Sequence, residues 1–426
     1  MRGGLLRILG TGFGLAVVLG ATVGGEILRL PGGVARELPQ LRHQLWAWGL
    51  GGAYALLCAS LFAELGTRVP RSGGLTAFAD EGLGPFAGFL VGWGDFLASA
   101  FTVGAYGLLA GGLLAERLPG PPRVWALGTI LLVAAAQWPG LRPAAWLQDG
   151  SSLLKGLLLA ALALGGLWAA PAVAPIGGIA RPTVLAFVAA LQLVVFAYDN
   201  YYGAVYFGEE YTDPRRQLPR SLLGGTALVL ALYLLLVWGM GRGLDAATLA
   251  SSELPGAELA GRFLGPAGAR ATWALMLLAL LSGMNATLLI ASRILYALGR
   301  EGDAWRGAEA VNAGGTPVAG LGFAVALALA GLALPSFETA IAFMSPFVLV
   351  NYALCFLSLL RLRGRDPEAR AFRAPGLPIT AWFAVVACLA LLAGGIAAAP
   401  GLAVGAMLLM ALAWPLHRRL GRARPS

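Results

Sequence analysis

The sequence predicts an all-α polytopic membrane protein of twelve transmembrane helices, and three observations carry that expectation. Of 426 residues, 58% are hydrophobic and only 12% charged, about half the charged share of a soluble domain. The apolar residues gather into twelve runs, many of them near the ~20 residues that cross a bilayer. No long hydrophilic stretch separates the runs, so residues 1–426 read as a single transmembrane domain.

Each run is bounded by charge, proline or glycine. The first, 9–36, follows Arg2 and Arg7 and continues to Pro31. It is glycine-rich and lacks a small-residue cleavage pattern, so it reads as a membrane helix rather than a cleaved leader. The runs 46–67, 85–114, 123–138, 147–170 and 184–207 follow. A second set lies at 221–241, 268–298, 317–334, 338–361, 380–397 and 401–417. An even number of spans puts both termini on one side. With the termini inside, the inner segments hold twenty arginines and the outer segments with adjacent helix ends nine. That bias assigns both termini to the cytoplasmic side of the cell membrane.

The basic residues also exclude functions. Of 30 Lys and Arg residues, the single lysine is Lys155. It reads Leu153-Leu154-Lys155-Gly156, not the Gly-Lys-Ser/Thr of a phosphate-binding loop. ATP is therefore not expected as a partner, and transport would be passive or ion-driven. The arginines are explained by topology, so nucleic acid is not expected either. His43 and His417 flank spans, and Cys58, Cys355 and Cys388 lie far apart in apolar runs. That spacing suggests neither disulfides nor zinc, and no cofactor or metal is expected.

Two runs carry breaks. The first has Gly20-Ala21-Thr22-Val23-Gly24-Gly25-Glu26, poor helix formers with a charge at membrane depth. The sixth has Phe196-Ala197-Tyr198-Asp199-Asn200-Tyr201-Tyr202, with adjacent Asp and Asn that favour turns. Non-helical backbone at that depth persists only where protein or a cavity satisfies it. The breaks lie five spans apart, an odd offset, so two five-helix halves would be inverted repeats, 9–170 and 184–361. Residues 380–417 would add two further helices. Such paired breaks point to a transporter's substrate site. Glycines serving close helix packing remain the plainer alternative.

The motifs then carry a resemblance. Gly24-Gly25-Glu26-Ile27-Leu28 with Pro31-Gly32 resembles a Gly-x-Gly-Ile-Phe signature in the first helix. Ala63-Glu64-Leu65 with Val69-Pro70-Arg71-Ser72-Gly73-Gly74 resembles the loop after the second. The segment from Phe196 through Glu209-Glu210 to Asp213-Pro214-Arg215-Arg216-Gln217-Leu218-Pro219-Arg220 matches the sixth helix and its exit. Asn285-Ala286-Thr287 to Ser292-Arg293, Gly299-Arg300-Glu301-Gly302 and Thr316-Pro317 follow in order. Over about residues 8–375 the chain resembles the amino acid–polyamine–organocation superfamily of amino acid permeases.

The resemblance implies five-plus-five inverted repeats, alternating access and a central site for an α-amino acid or related amine. The substrate-binding residues would be Ala21, Thr22, Gly24, Gly25, Glu26 and Ile27, with Phe196, Ala197, Tyr198, Asp199, Asn200, Tyr201 and Tyr202 opposite. The half-helix after Gly25 would turn free N–H groups and a positive dipole end toward a carboxylate. Carbonyls released around Phe196 to Asp199 would accept from an ammonium, and the tyrosines would wall or gate the pocket. Two positions depart from the pattern. Glu26 and Asn200 stand where glycine is usual, and a carboxylate at Glu26 points to a cationic amino acid or a polyamine unless it is protonated, turns toward Arg29 or swings outside the cavity.

Lys155 is read as the coupling residue. Arginine does not give up its proton, whereas a buried lysine can. By resemblance, a lysine in the fifth helix takes the place of sodium in related sodium-coupled carriers. Lys155 would then bind carbonyls near Gly20 and Ala21, with Ser282 or Asn285 nearby, and transport would be sodium-independent and proton-linked or an exchange. Its distance from the helix end is about 9 Å, counted from Asp149 at 1.5 Å per residue; snorkelling is the alternative. Asp95 either lines the cavity or pairs with another helix. Glu64 and Arg293 read as snorkelling or structural pairs, and Glu209, Glu210 and Asp213 beside Arg215 and Arg216 as a solvated loop that could brace the inner gate. Outside this carrier reading, which includes export, the alternatives are a channel and a membrane-embedded enzyme. Neither histidine has a catalytic partner in sequence.

Overall fold

The computed structural model describes residues 6–168, 182–252, 254–305, 307–366 and 371–420. Among these, helices and turns form the whole architecture apart from two isolated backbone bridges. In order they are α1 (Thr11–Thr22), a 3₁₀ turn (Gly25–Leu28), α2 (Leu30–Glu37), α3 (Leu41–Arg68), α4 (Leu75–Leu83), α5 (Pro85–Ala115), α6 (Pro122–Gln137) and α7 (Leu141–Trp168). Then come α8 (Val184–Ala197), a second 3₁₀ turn (Gly203–Phe207), α9 (Pro214–Gly243), α10 (Ala246–Ser251), α11 (Pro255–Leu264) and α12 (Ala267–Arg300). The chain ends with α13 (Val318–Gly331), α14 (Phe337–Arg365), α15 (Ile379–Ala398), α16 (Pro400–Ala411) and α17 (Ala413–Leu420).

Among the described residues, eight helical segments are long and apolar enough to cross a membrane. They are α3, α5, α7, α9, α12, α14, α15 and α16 with α17; α1, α6, α8 and α13 are shorter apolar helices. The protein is thus a multi-pass membrane protein. Residues 169 and 170 of the fifth predicted run lie outside the described residues. So do Arg2, Arg181, Arg306, Arg370, Arg422 and Arg424 of the topology count.

Local chemistry sets the helix starts. Proline, whose missing N–H costs nothing in a first turn, opens α5, α6, α9, α11 and α16. The side chains of Thr183, Asp245 and Ser336 cap α8, α10 and α14 by accepting a backbone N–H three residues on. These signals also explain where apolarity misplaces boundaries. α9 begins at Pro214 rather than 221, and α7 at Leu141 rather than 147, because a helix can begin before its apolar stretch does. The short helices α4, α10 and α11 have no counterpart among the predicted runs.

α12 lies at the centre, with 78% of its apolar window buried; α15 and the α16–α17 pair lie outside, with 22%. Lipid-side faces carry exposed apolar groups such as Trp168, Val184 and Leu185. Between α3 and α4, Gly73 and Gly74 have φ of +100° and +49°. A Cβ on Gly73 would meet that of Ala297 at 2.4 Å, and one on Gly74 the Tyr206 ring at 2.7 Å. The predicted Gly-Gly motif is thus both a conformational and a packing requirement.

The arginine-rich end is tied shut. Leu9 donates to the Glu210 carbonyl (2.9 Å), and Thr212 donates back to Leu9 (3.0 Å). The Phe13 ring packs edge-on against Phe207 at 5.0 Å. Arg293 is buried and donates to both carboxylate oxygens of Glu210 (2.8 and 3.1 Å), with its guanidinium 4.6 Å from the Phe207 ring centroid. Glu210 is therefore not in a solvated loop, although Asp213 with Arg216 is exposed. Glu64 is also buried; it accepts from Arg68 Nε (2.9 Å) and the Ala374 N–H (2.7 Å).

Candidate functional site

Both breaks are present as backbone geometry. α1 stops at Thr22, Val23 and Gly24 are extended, and the 3₁₀ turn restarts the chain at Gly25. α8 stops at Ala197, and residues 198–202 are turns. Asn200 has φ +67°, the one positive φ of a non-glycine residue among those described. It occupies the position where resemblance expects glycine. Asn is among the few side chains that tolerate this left-handed backbone, so the break survives the substitution.

The facing ends enclose a narrow cavity lined by Thr22, Glu26, Thr102, Tyr106, Phe196, Asp199, Asn200, Ile341 and Met344. It has room for about one water. An amino acid would need the walls to move apart. Two carboxylates, Glu26 and Asp199, line it. Glu26 Oε2 has no hydrogen-bond partner, and among the described residues Glu26 makes no ion pair, so the alternative of a turn toward Arg29 is absent. Its carboxylate instead folds back over the break: a Cβ on Gly24 would lie 2.0 Å from Oε2. That puts a negative group beside the N-terminal end of the half-helix. Asp199 Oδ1 accepts from the Tyr352 hydroxyl at 2.5 Å.

Lys155 is fully buried, and its ammonium donates to the carbonyl oxygens of Gly20 (3.1 Å) and Val23. These acceptors stand at and just before the point where α1 ends. Gly20 is thus a partner as expected, but Val23 replaces Ala21. Because α7 starts at Leu141, Lys155 lies fourteen residues into it, about 21 Å at 1.5 Å per residue. The residue is tied inside the protein rather than snorkelling. Ser282 and Asn285 do not bond it. Ser151 donates to Ser282 (3.2 Å), and Asn285 donates to Gln148 (2.8 Å). Gln137 donates to the Asn285 side chain (2.9 Å).

Gln148, Ser152 and Lys155 share one face of α7. The first two donate to the Ala16 carbonyl at 3.3 and 2.8 Å. A Cβ on Gly20 would lie 1.7 Å from Gln148 Nε2, so glycine permits this contact. Tyr233, from α9, is another tie: its hydroxyl lies 3.1 Å from both the Thr22 and the Ala197 carbonyl, joining the last residues of the two broken helices. The Ala197 carbonyl, expected to accept from an ammonium, already takes the Tyr233 hydroxyl as one donor, and a carbonyl oxygen has two lone pairs.

The three predicted tyrosines do not line the narrow cavity. Tyr198 donates to the Trp48 carbonyl (3.2 Å) and packs among Trp48 and Tyr233. Tyr201 and Tyr202 pack against Phe62. They point away because the turns at 198–202 rotate successive side chains around the break. Asp95 is buried and accepts from Tyr206 at 2.5 Å, so it pairs rather than lining the cavity. Ala21, Gly25 and Ile27 are buried in the first break without lining the cavity directly.

The missed residues, Thr102, Tyr106, Gln148 and Ser152, left a legible signal. Thr102 and Tyr106 follow Asp95 at helical spacing along α5, and Gln148 and Ser152 precede Lys155 at helical spacing on α7. A polar stripe inside an apolar helix marks a face turned to protein rather than lipid.

Gly25 gives a direct test of the first break. A Cβ there would lie 3.1 Å from Met276 Cγ and 3.6 Å from Leu280. Gly25→Leu is expected to displace the turn and abolish substrate-induced thermal stabilisation while leaving expression largely intact. Wild-type stabilisation would remove Gly25 from the site.

Comparison with known proteins gives a consistent picture. A family model described as amino acid permease matches residues 13–414. The serine/threonine exchanger SteT of Bacillus subtilis is 25% identical over 384 residues, covering 88% of each chain. The b(0,+)-type amino acid transporter 1 of Homo sapiens is 27% identical over 318 residues, 70% of this chain and 64% of that one. The crystal structure of MhsT in complex with L-phenylalanine superposes with a TM-score of 0.63 at 15% identity, covering 92% of this chain and all of that one.

Proposed function

The chain belongs to the amino acid permease family, and from that premise we propose that it is a sodium-independent secondary carrier working by alternating access. The substrate would sit between the two breaks, in the cavity of Thr22, Glu26 and Asp199 once its walls separate. The observation that carries this reading is Lys155: an ammonium on the carbonyls of Gly20 and Val23 supplies a positive charge where a sodium-coupled carrier would need a bound cation. The similarity to an exchanger along 88% of both chains supports exchange as the mode.

Two five-helix repeats of opposite orientation fit the packing. α4 rests on α5 and α14, while α11 rests on α12 and α7. In a 9–170 and 184–361 division these are corresponding positions, third and tenth spans against eighth and fifth. With α1 to α2, α8 to its 3₁₀ turn and α16 to α17 each counted as one span, and the short α4, α10 and α11 left aside, the spans would number twelve. The arginine bias of the sequence supports cytoplasmic termini.

The paired carboxylates favour a cationic substrate. At ~4 Å and an effective dielectric of ~20, a charge pair is worth about 4 kcal/mol before desolvation, enough to dominate selectivity. Glu26→Gly is therefore expected to shift preference from cationic toward neutral amino acids, read by competition against a labelled substrate. An unchanged profile would mean that Glu26 does not face the substrate. A second reading, a cationic amine without a carboxylate, is favoured by the Glu26 side chain lying over Gly24, where a substrate carboxylate would otherwise approach the turn.

Thermal stabilisation across arginine, lysine, serine, threonine, phenylalanine, agmatine and putrescine tests the function, since a ligand stabilises the state it binds. Stabilisation by amino acids supports the main reading, and stabilisation by agmatine or putrescine alone supports the second. No response to any of them would contradict both.

A further inference from the structure

A second cavity reaches Asp199 from the opposite side. It lies between α3, α8, α14 and α15, with a volume of about 240 Å³. Phe196, Asp199 and Met344 form the wall that it shares with the narrow cavity. Its other walls are largely apolar, among them Val195, Val348, Leu349 and Leu391. Among the described residues lining it, Asp199 alone carries a charge. Tyr352 holds one oxygen of that carboxylate, and no cation pairs with Asp199 among the described residues. A carboxylate accepts several donors, so the tyrosine leaves capacity for another.

The mouth lies beside Gln192, Gly395 and Ala398, all exposed, on helices whose outer faces are apolar. A Cβ on Gly395 would meet nothing within 4 Å. The path therefore runs from a lipid-facing surface, past apolar walls, to one half-buried carboxylate. A neutral apolar ligand would leave that anion unpaired, and a small hydrophilic cation would leave the walls unfilled.

We propose that this side cavity binds a monoammonium ligand with an apolar body, its nitrogen on Asp199 and its body between α8, α14 and α15. The ligand enters from the bilayer side and leaves the narrow cavity free of its body. Occupancy withdraws Asp199 from the narrow cavity, so such amines act as inhibitors from a separate site.

Binding is read without transport, which separates this proposal from the carrier function, although it shares Asp199 with that reading. Labelled tryptamine is equilibrated with the full chain in lipid nanodiscs, with its uncharged analogue tryptophol as competitor. The expected result is saturable tryptamine binding that an equal concentration of tryptophol does not displace. Leu391→Trp and, where a Cβ has open space, Gly395→Phe should each weaken it at least tenfold, while amino acid-induced stabilisation persists. Absence of saturable binding, equal displacement by tryptophol, or wild-type affinity in the folded variants would overturn the proposal.

Discussion

Replacing Lys155 with alanine is expected to abolish transport in reconstituted vesicles. The substitution removes a buried ammonium and leaves the carbonyls of Gly20 and Val23 without their donor. Each unsatisfied buried group costs about 1–3 kcal/mol, concentrated where α1 ends. Gln148 and Ser152 still hold α1 at Ala16, one turn earlier, so the helix stays packed while the break loses its tie. Expression and helical content should therefore survive when transport does not. Lys155→Arg keeps the charge but not the capacity to release a proton. That variant should bind substrate and lose any coupling of transport to pH. Transport by Lys155→Ala with intact pH dependence would remove this role.

Arg293→Ala is expected to be among the most destabilising single changes. It strips both hydrogen bonds from a carboxylate, Glu210, that is 0% exposed, and leaves that charge buried and unpaired. Breaking a buried pair from one side costs about 3–5 kcal/mol. The guanidinium also donates to the Leu289 carbonyl (2.9 Å) and stacks on Phe207, so Arg293→Lys should recover only part of the loss. Removing both charges with Arg293→Met and Glu210→Met should be milder than Arg293→Ala. Thermal unfolding of the detergent-purified variants checks the order. Equal midpoints for Arg293→Ala and wild type would mean that the pair contributes little.

The membrane class and the two breaks were legible because they follow from chain-local physics. Apolar runs set the spans, and Gly24 and Asn200 sit where regular helix stops. The depth of Lys155 was misjudged because α7 starts before its apolar stretch does, at Leu141. Tyr233 was invisible for another reason. Its role depends on two carbonyls, of Thr22 and Ala197, separated by 175 positions in sequence and brought together only by packing. The outward turn of Tyr198, Tyr201 and Tyr202 depends likewise on the path of the backbone after Ala197. Composition does not encode it. Glu210 looked solvated because its neighbours Glu209 and Asp213 are charged, whereas Arg293 on α12 draws it inside.

The most direct test of the account is counterflow in proteoliposomes free of sodium. Vesicles loaded with unlabelled arginine, serine and threonine are diluted into each labelled amino acid in turn, with and without added sodium. The account predicts saturable uptake of at least one label without sodium, stimulated by amino acid inside and unchanged by sodium outside. Uptake that appears only with sodium, or none for any of the three, would contradict it.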